Sequence, residues 1–131
     1  GVKKVSAECT APIFLDLKFH DIPNTVAGAI RSTAGINAFM MTVHVAGGLA
    51  MMRAALDAAG DMAAKSGRER PRIVGVTVLT SLDDEDLQAT GMPWQVHDQV
   101  LRLAQLAQNA GLDGVVCSPH EIEALRRACG R

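Results

Sequence analysis

The sequence predicts an α/β protein built on a parallel sheet, in four strand-helix units. Short apolar runs that read as strands recur near residues 13–18, 38–43, 73–80 and 114–117. Each is followed by a stretch with helical periodicity, near 25–34, 48–60, 95–110 and 119–129. Strands that alternate with helices form parallel sheets, which are covered on both faces or closed into a barrel.

In the first strand Ile13, Leu15 and Leu17 share one face, and Phe14, Asp16 and Lys18 share the other. Asp16 and Lys18 therefore point the same way. A bare D-x-K on a half-exposed strand is most often a solvated face, but charges inside a covered sheet need a purpose. Asp21 lies beyond the strand end. Pro23 fixes the approach to the first helix, with Asn24 or Thr25 as its N-cap. Two acids and a lysine thus fall within six residues, at the strand-to-helix edge where parallel barrels build active sites.

In the second unit the pairs Met40-Met41 and Met51-Met52, with Leu49 and Leu56, read as packing residues. His44 on its apolar strand reads as a hydrogen-bonded core histidine, and Gly47-Gly48 as a turn. The charged stretch from Ala63 to Arg72 reads as a solvated connection. The third strand ends at Thr80, and Ser81 is spaced to cap a following helix with Asp84. Val96, Val100, Leu103 and Ala107 repeat at spacings of three and four, which gives a core-facing helix that Gly111 ends. Ser118-Pro119-His120-Glu121 has the spacing of a capping box and starts the last helix.

Composition narrows the function classes. With 13 basic and 14 acidic residues and a net charge of -1, the chain carries no overall basic signal for a nucleic-acid polymer. Cys9, Cys117 and Cys129 lack C-x-x-C spacing, and the four histidines are scattered, so neither a disulfide framework nor a metal site is expected. The absence of a long apolar run predicts a soluble cytoplasmic protein without a membrane span.

The run Asp16-Leu17-Lys18-Phe19-His20-Asp21-Ile22-Pro23-Asn24-Thr25-Val26 resembles the signature of the orotidine 5'-phosphate decarboxylase family. The resemblance continues through Val43-His44-Val45-Ala46-Gly47-Gly48, Val76-Thr77-Val78-Leu79-Thr80-Ser81 and Gly111 to Ser118, and so runs from about Ala11 onward. The shorter D-x-K-x-x-D pattern is shared with magnesium-binding sugar-phosphate decarboxylases and aldolases. The I-P-N-T segment after Asp21 resembles the nucleotide enzyme.

The resemblance implies a TIM (β/α)8 barrel, for which about 200 residues or more are usual. This chain has 131. Its four units match strands three to six of the family, so residues 1–131 are expected to be one partial barrel domain, truncated at both ends. The family's ribose-binding aspartate and further lysine would fall before Gly1, and its phosphate site beyond Arg131.

The implied reaction is decarboxylation of orotidine 5'-phosphate to UMP, without cofactor or metal. Lys18 would be the general acid, with Asp16 and Asp21 holding it charged and aligned. Ile22, Thr25 and Thr80 would join Asp16, Lys18 and Asp21 in substrate binding, Thr80 at the nucleotide base. The resemblance also implies a homodimer in which Asp21 and Thr25 reach the partner's site. Two alternatives stay open: a magnesium-dependent sugar-phosphate lyase, and a noncatalytic half-barrel that associates through its unpaired edges.

Overall fold

A computed structural model describes residues 1–130. Four parallel strands, β1 (Ile13–Phe19), β2 (Ala38–His44), β3 (Arg72–Val76) and β4 (Gly114–Val116), form one sheet in chain order. A short helix, α1 (Val2–Glu8), precedes β1; it buries none of its residues, and Ser6 Oγ accepts the Asn37 N–H at 3.0 Å. The crossovers are α2 (Pro23–Ser32), α3 (Leu49–Ser66), and the pair α4 (Asp84–Ala89) and α5 (Val96–Ala110). After β4 a 3-10 turn, Pro119–Glu121, leads into α6 (Ile122–Cys129).

All four expected strands and their following helices are present, with local differences. β3 stops at Val76 instead of Thr80, because its neighbours end at His44 and Val116 and offer no further ladder partners. α3 runs on through Ser66, taking in part of the expected connection, until Gly67 at φ +65° ends it. α2 begins with Pro23 at its first position and Ile22 as N-cap, so neither Asn24 nor Thr25 caps it. Proline suits that position because its missing N–H would have had no helical partner.

Ser81 does not form the expected cap. Asp83 does, accepting the Asp86 N–H at 2.9 Å while Asp86 accepts the Asp83 N–H at 3.2 Å, and this box starts the unforeseen α4. Asp84 instead accepts the Val96 N–H at 2.7 Å and satisfies a free donor at the start of α5. The Ser118-Glu121 box forms as predicted, with Glu121 accepting the Ser118 N–H at 2.8 Å, and Gly111 ends α5 at φ +88°.

The main core lies between one face of the sheet and helices α2, α3 and α5. Leu15, Ile30, Met41, Val43, Met51, Met52, Ile73 and Ala107 are all buried there, the three methionines as the packing residues expected. Gly75 on β3 permits this closeness. A Cβ there would sit 2.5 Å from Val45 Cγ2 and 2.9 Å from Leu112 Cδ1.

At the N-terminal end of the sheet, Asp113 joins the approaches to β3 and β4. It accepts the Ile73 N–H at 2.7 Å and two hydrogen bonds from the Arg70 guanidinium at 2.9 and 2.6 Å. Burial alone would push the Asp113 carboxyl up, but these donors and the Arg70 and Arg72 charges hold it below the ordinary carboxylate range. Among the described residues, no helix is long and apolar enough to cross a membrane.

Candidate active site

The strands run parallel, so their C-terminal ends lie at one edge of the sheet. There β1 and β2 lose simple register: Leu15 pairs with Met41 and Phe19 with Val43, so four steps along β1 answer two along β2. β1 carries two surplus residues at this bulge. Lys18 lies inside it with φ +50°, the one non-glycine residue with positive φ among the described residues. For an L-residue this left-handed backbone costs about 1–2 kcal/mol.

Thr42 of β2 fills the bulge. Its Oγ1 accepts the Lys18 N–H at 2.8 Å, and its hydroxyl donates to Asp16 Oδ1 at 2.7 Å. The other carboxylate oxygen, Asp16 Oδ2, meets Lys18 Nζ at 2.5 Å. Strand backbone, hydroxyl, carboxylate and ammonium thus close into one ring. Thr42 is fully buried at 0% exposure, whereas the Lys18 and Asp16 side chains are 38% and 44% exposed and open to a ligand.

The hydrogen bonds from Lys18 and Thr42 lower the Asp16 carboxyl below its ordinary pKa against a smaller effect of burial, with help from the Lys18 charge. Asp16 is therefore an anion at neutral pH. His44, at the end of β2, has its ring 5.2 Å from that of His20. Burial first, then the His20 and Lys18 charges, lower the His44 pKa against the opposing pull of Asp16, so the imidazole is neutral. A positive ammonium next to a fixed carboxylate can stabilise a developing negative charge and deliver a proton to it.

A sequence profile of the Orotidine 5'-phosphate decarboxylase / HUMPS family matches residues 1–131. The chain belongs to this family. It is 55% identical over 119 residues to an orotidine 5'-phosphate decarboxylase of Paramagnetospirillum magneticum, a match that covers 91% of this chain and 51% of that protein. An orotidine 5'-phosphate decarboxylase of Rhodospirillum rubrum is 53% identical over 130 residues, covering 99% of this chain and 53% of its own length. The chain spans about half the length of the curated relatives it matches. A crystal structure of orotidine 5'-phosphate decarboxylase from Lactobacillus acidophilus is similar with a TM-score of 0.90 at 37% identity, covering 99% of this chain and 58% of that one. The four-stranded sheet is thus a section of the family's TIM-barrel fold.

Within this family member the remaining expected residues lie apart from the ring. Asp21, Ile22 and Thr25 are exposed at the start of α2, where Asp21 Oδ1 accepts the Ile22 N–H at 2.7 Å. Among the described residues no hydrogen bond or ion pair joins Asp21, Thr25 or Thr80 to Lys18. Thr80 is exposed in the turn after β3, not on the strand. Leu17 also departs from the expected alternation: it is 53% exposed, because the bulge turns it away from the face of Leu15. Among the described residues no group of three or more histidines, cysteines or acids is arranged to hold a metal ion.

Thr42 is a site residue that the sequence barely signals. A lone hydroxyl between Met41 and Val43 was its only signal, and threonine is an ordinary strand residue.

Proposed function

We propose that this chain is the central part of an orotidine 5'-phosphate decarboxylase, acting in the cytoplasm in pyrimidine biosynthesis. The observation that carries the reading is the ring of Asp16, Lys18 and Thr42 at the C-terminal end of β1, in a chain whose relatives bear that activity. In the proposed reaction the bond between C6 of the pyrimidine and its carboxylate breaks, CO2 leaves, and the electron pair stays on C6. The Lys18 ammonium faces that developing charge and then transfers its proton to C6, giving UMP and a neutral lysine.

Asp16 contributes in two ways. It holds Lys18 in place, and it sets a fixed negative charge beside the departing carboxylate. Two such charges about 4 Å apart repel by roughly 4 kcal/mol at an effective dielectric near 20, and loss of CO2 relieves that repulsion. Thr80 is assigned to the nucleotide base and Ile22 to the substrate pocket.

Asp21 and Thr25 are assigned to the site of the other subunit in a homodimer. Their exposure at the start of α2 and the lack of a bond from Asp21 to Lys18 within one chain support that assignment. A closed twofold contact would give each subunit the same loop from its partner.

The test is the fall in ultraviolet absorbance as orotidine 5'-phosphate is consumed, measured beside Lys18→Ala and with a chelator. Turnover that Lys18→Ala abolishes and chelator leaves unchanged is the expected result. Turnover that survives Lys18→Ala overturns the assignment of the proton donor, and turnover lost to chelator favours a metal-dependent lyase.

A further inference from the structure

Thr42 is an unusual occupant of its place. Its neighbours along β2 are Met41 and Val43, and its partner across the sheet is Val74, all buried. Valine has the same shape and would suit that packing and the strand backbone. Yet the buried hydroxyl is fully used, and both of its partners belong to the candidate site on the neighbouring strand: the Lys18 amide 24 residues away and the Asp16 carboxylate 26 residues away. The amide in question belongs to the one non-glycine residue with left-handed backbone among those described. A hydroxyl that accepts from one and donates to the other fixes both ends of the Asp16-Lys18 pair at once.

We propose that Thr42 is a positioning residue, whose hydroxyl holds the bent backbone of Lys18 and the carboxylate of Asp16 in the single arrangement that aims the ammonium. Without it, Asp16 can rotate about its own side-chain bonds and the bulge loses the acceptor that stabilises it. The consequence for turnover rests on the decarboxylase reading, whereas the arrangement itself does not. The charged and titratable groups that bear on Asp16 are Lys18 on the same strand and His44 on β2, with His20 acting on His44 in turn.

Nuclear magnetic resonance of the protein, with Thr42→Val and Thr42→Ser, tests the proposal through the Asp16 carboxyl titration and the exchange of the Lys18 amide. The unmodified protein is expected to protect that amide. Thr42→Val should move the Asp16 midpoint upward and speed Lys18 amide exchange by about tenfold or more, the loss of one hydrogen bond. Thr42→Ser, which keeps the hydroxyl, should restore both. An unprotected Lys18 amide in the unmodified protein overturns the proposal without recourse to any variant. So does Thr42→Val with both readouts unchanged, or Thr42→Ser that behaves like Thr42→Val. Because neither readout requires turnover, failure of the decarboxylase reading appears in the absorbance assay and failure of this one in the spectra.

Discussion

Replacing Lys18 by glycine and by alanine separates the chemistry of the side chain from the geometry of its backbone. Both substitutions remove the ammonium and its contact with Asp16, and both keep the N–H that Thr42 accepts. They differ at φ +50°. Alanine carries the left-handed penalty of about 1–2 kcal/mol. Glycine avoids it but loses about 0.5–1 kcal/mol more backbone entropy on folding. Lys18→Gly should therefore be more stable than Lys18→Ala by about 0.5–1 kcal/mol, whereas glycine in an ordinary strand is the weaker of the two by a similar amount. With a urea slope near 2 kcal/mol per molar, the denaturation midpoint of Lys18→Gly should lie roughly 0.2–0.5 M above that of Lys18→Ala. On the proposed assignment of Lys18 as proton donor, both variants should lose measurable turnover. A midpoint for Lys18→Ala equal to or above that of Lys18→Gly would refute the reasoning, since the bulge would then impose no handedness on this residue.

At the opposite end of the sheet, Asp113→Ala should destabilise by about 1–3 kcal/mol, because it strands the Ile73 amide, while the half-exposed Arg70 pair adds little. Asp113→Asn keeps an acceptor for that amide and should recover most of the loss in the same urea titration. The Asp113 carboxyl is held below its ordinary value of 3.8, so its contribution is complete above that pH and disappears as pH falls through the lowered value. Acid titrations of stability should accordingly flatten in Asp113→Asn. Gly75→Ala should cost about 1–3 kcal/mol by overpacking against Val45 and Leu112, and thermal unfolding at an unchanged Tm would contradict that. His44 should titrate below its ordinary 6.5 in proton resonance spectra, remaining neutral at pH 7; a midpoint at or above 6.5 would mean that the pull of Asp16 outweighs burial and the His20 and Lys18 charges.

The strand-helix alternation was legible because each strand is a compact apolar run and each main helix presents a periodic face to one core. α1 was not legible, since it buries nothing and leaves no apolar stripe. α4 was missed for a different reason: it is six residues long, and its cap is Asp83 rather than the more familiar serine two positions earlier. The pairing of Asp16 with Lys18 followed from alternation, although the strand between them does not alternate regularly. The bulge depends on register between β1 and β2, which is a property of two strands and is invisible in either alone. Thr42 shares that obscurity, because a side chain that bonds residues 24 and 26 positions earlier has no local signature. Thr80 shows the converse, a residue placed on a strand by its apolar neighbours when the ladder had already run out of partners.

The surplus in β1 is an even number, and that parity has a consequence for how the strand can tolerate change in length. Leu15 and Phe19 both pack against the core although a bulged excursion separates them. Deleting one residue between them would turn Phe19 to the other side of the sheet and exchange an apolar contact for a hole. Deleting two would leave Phe19 facing the helices and remove only the excursion. Length changes here thus fall into two classes by counting alone: odd ones that damage the scaffold, and even ones that erase or enlarge the protrusion carrying Asp16 and Lys18 while the scaffold beneath keeps its order.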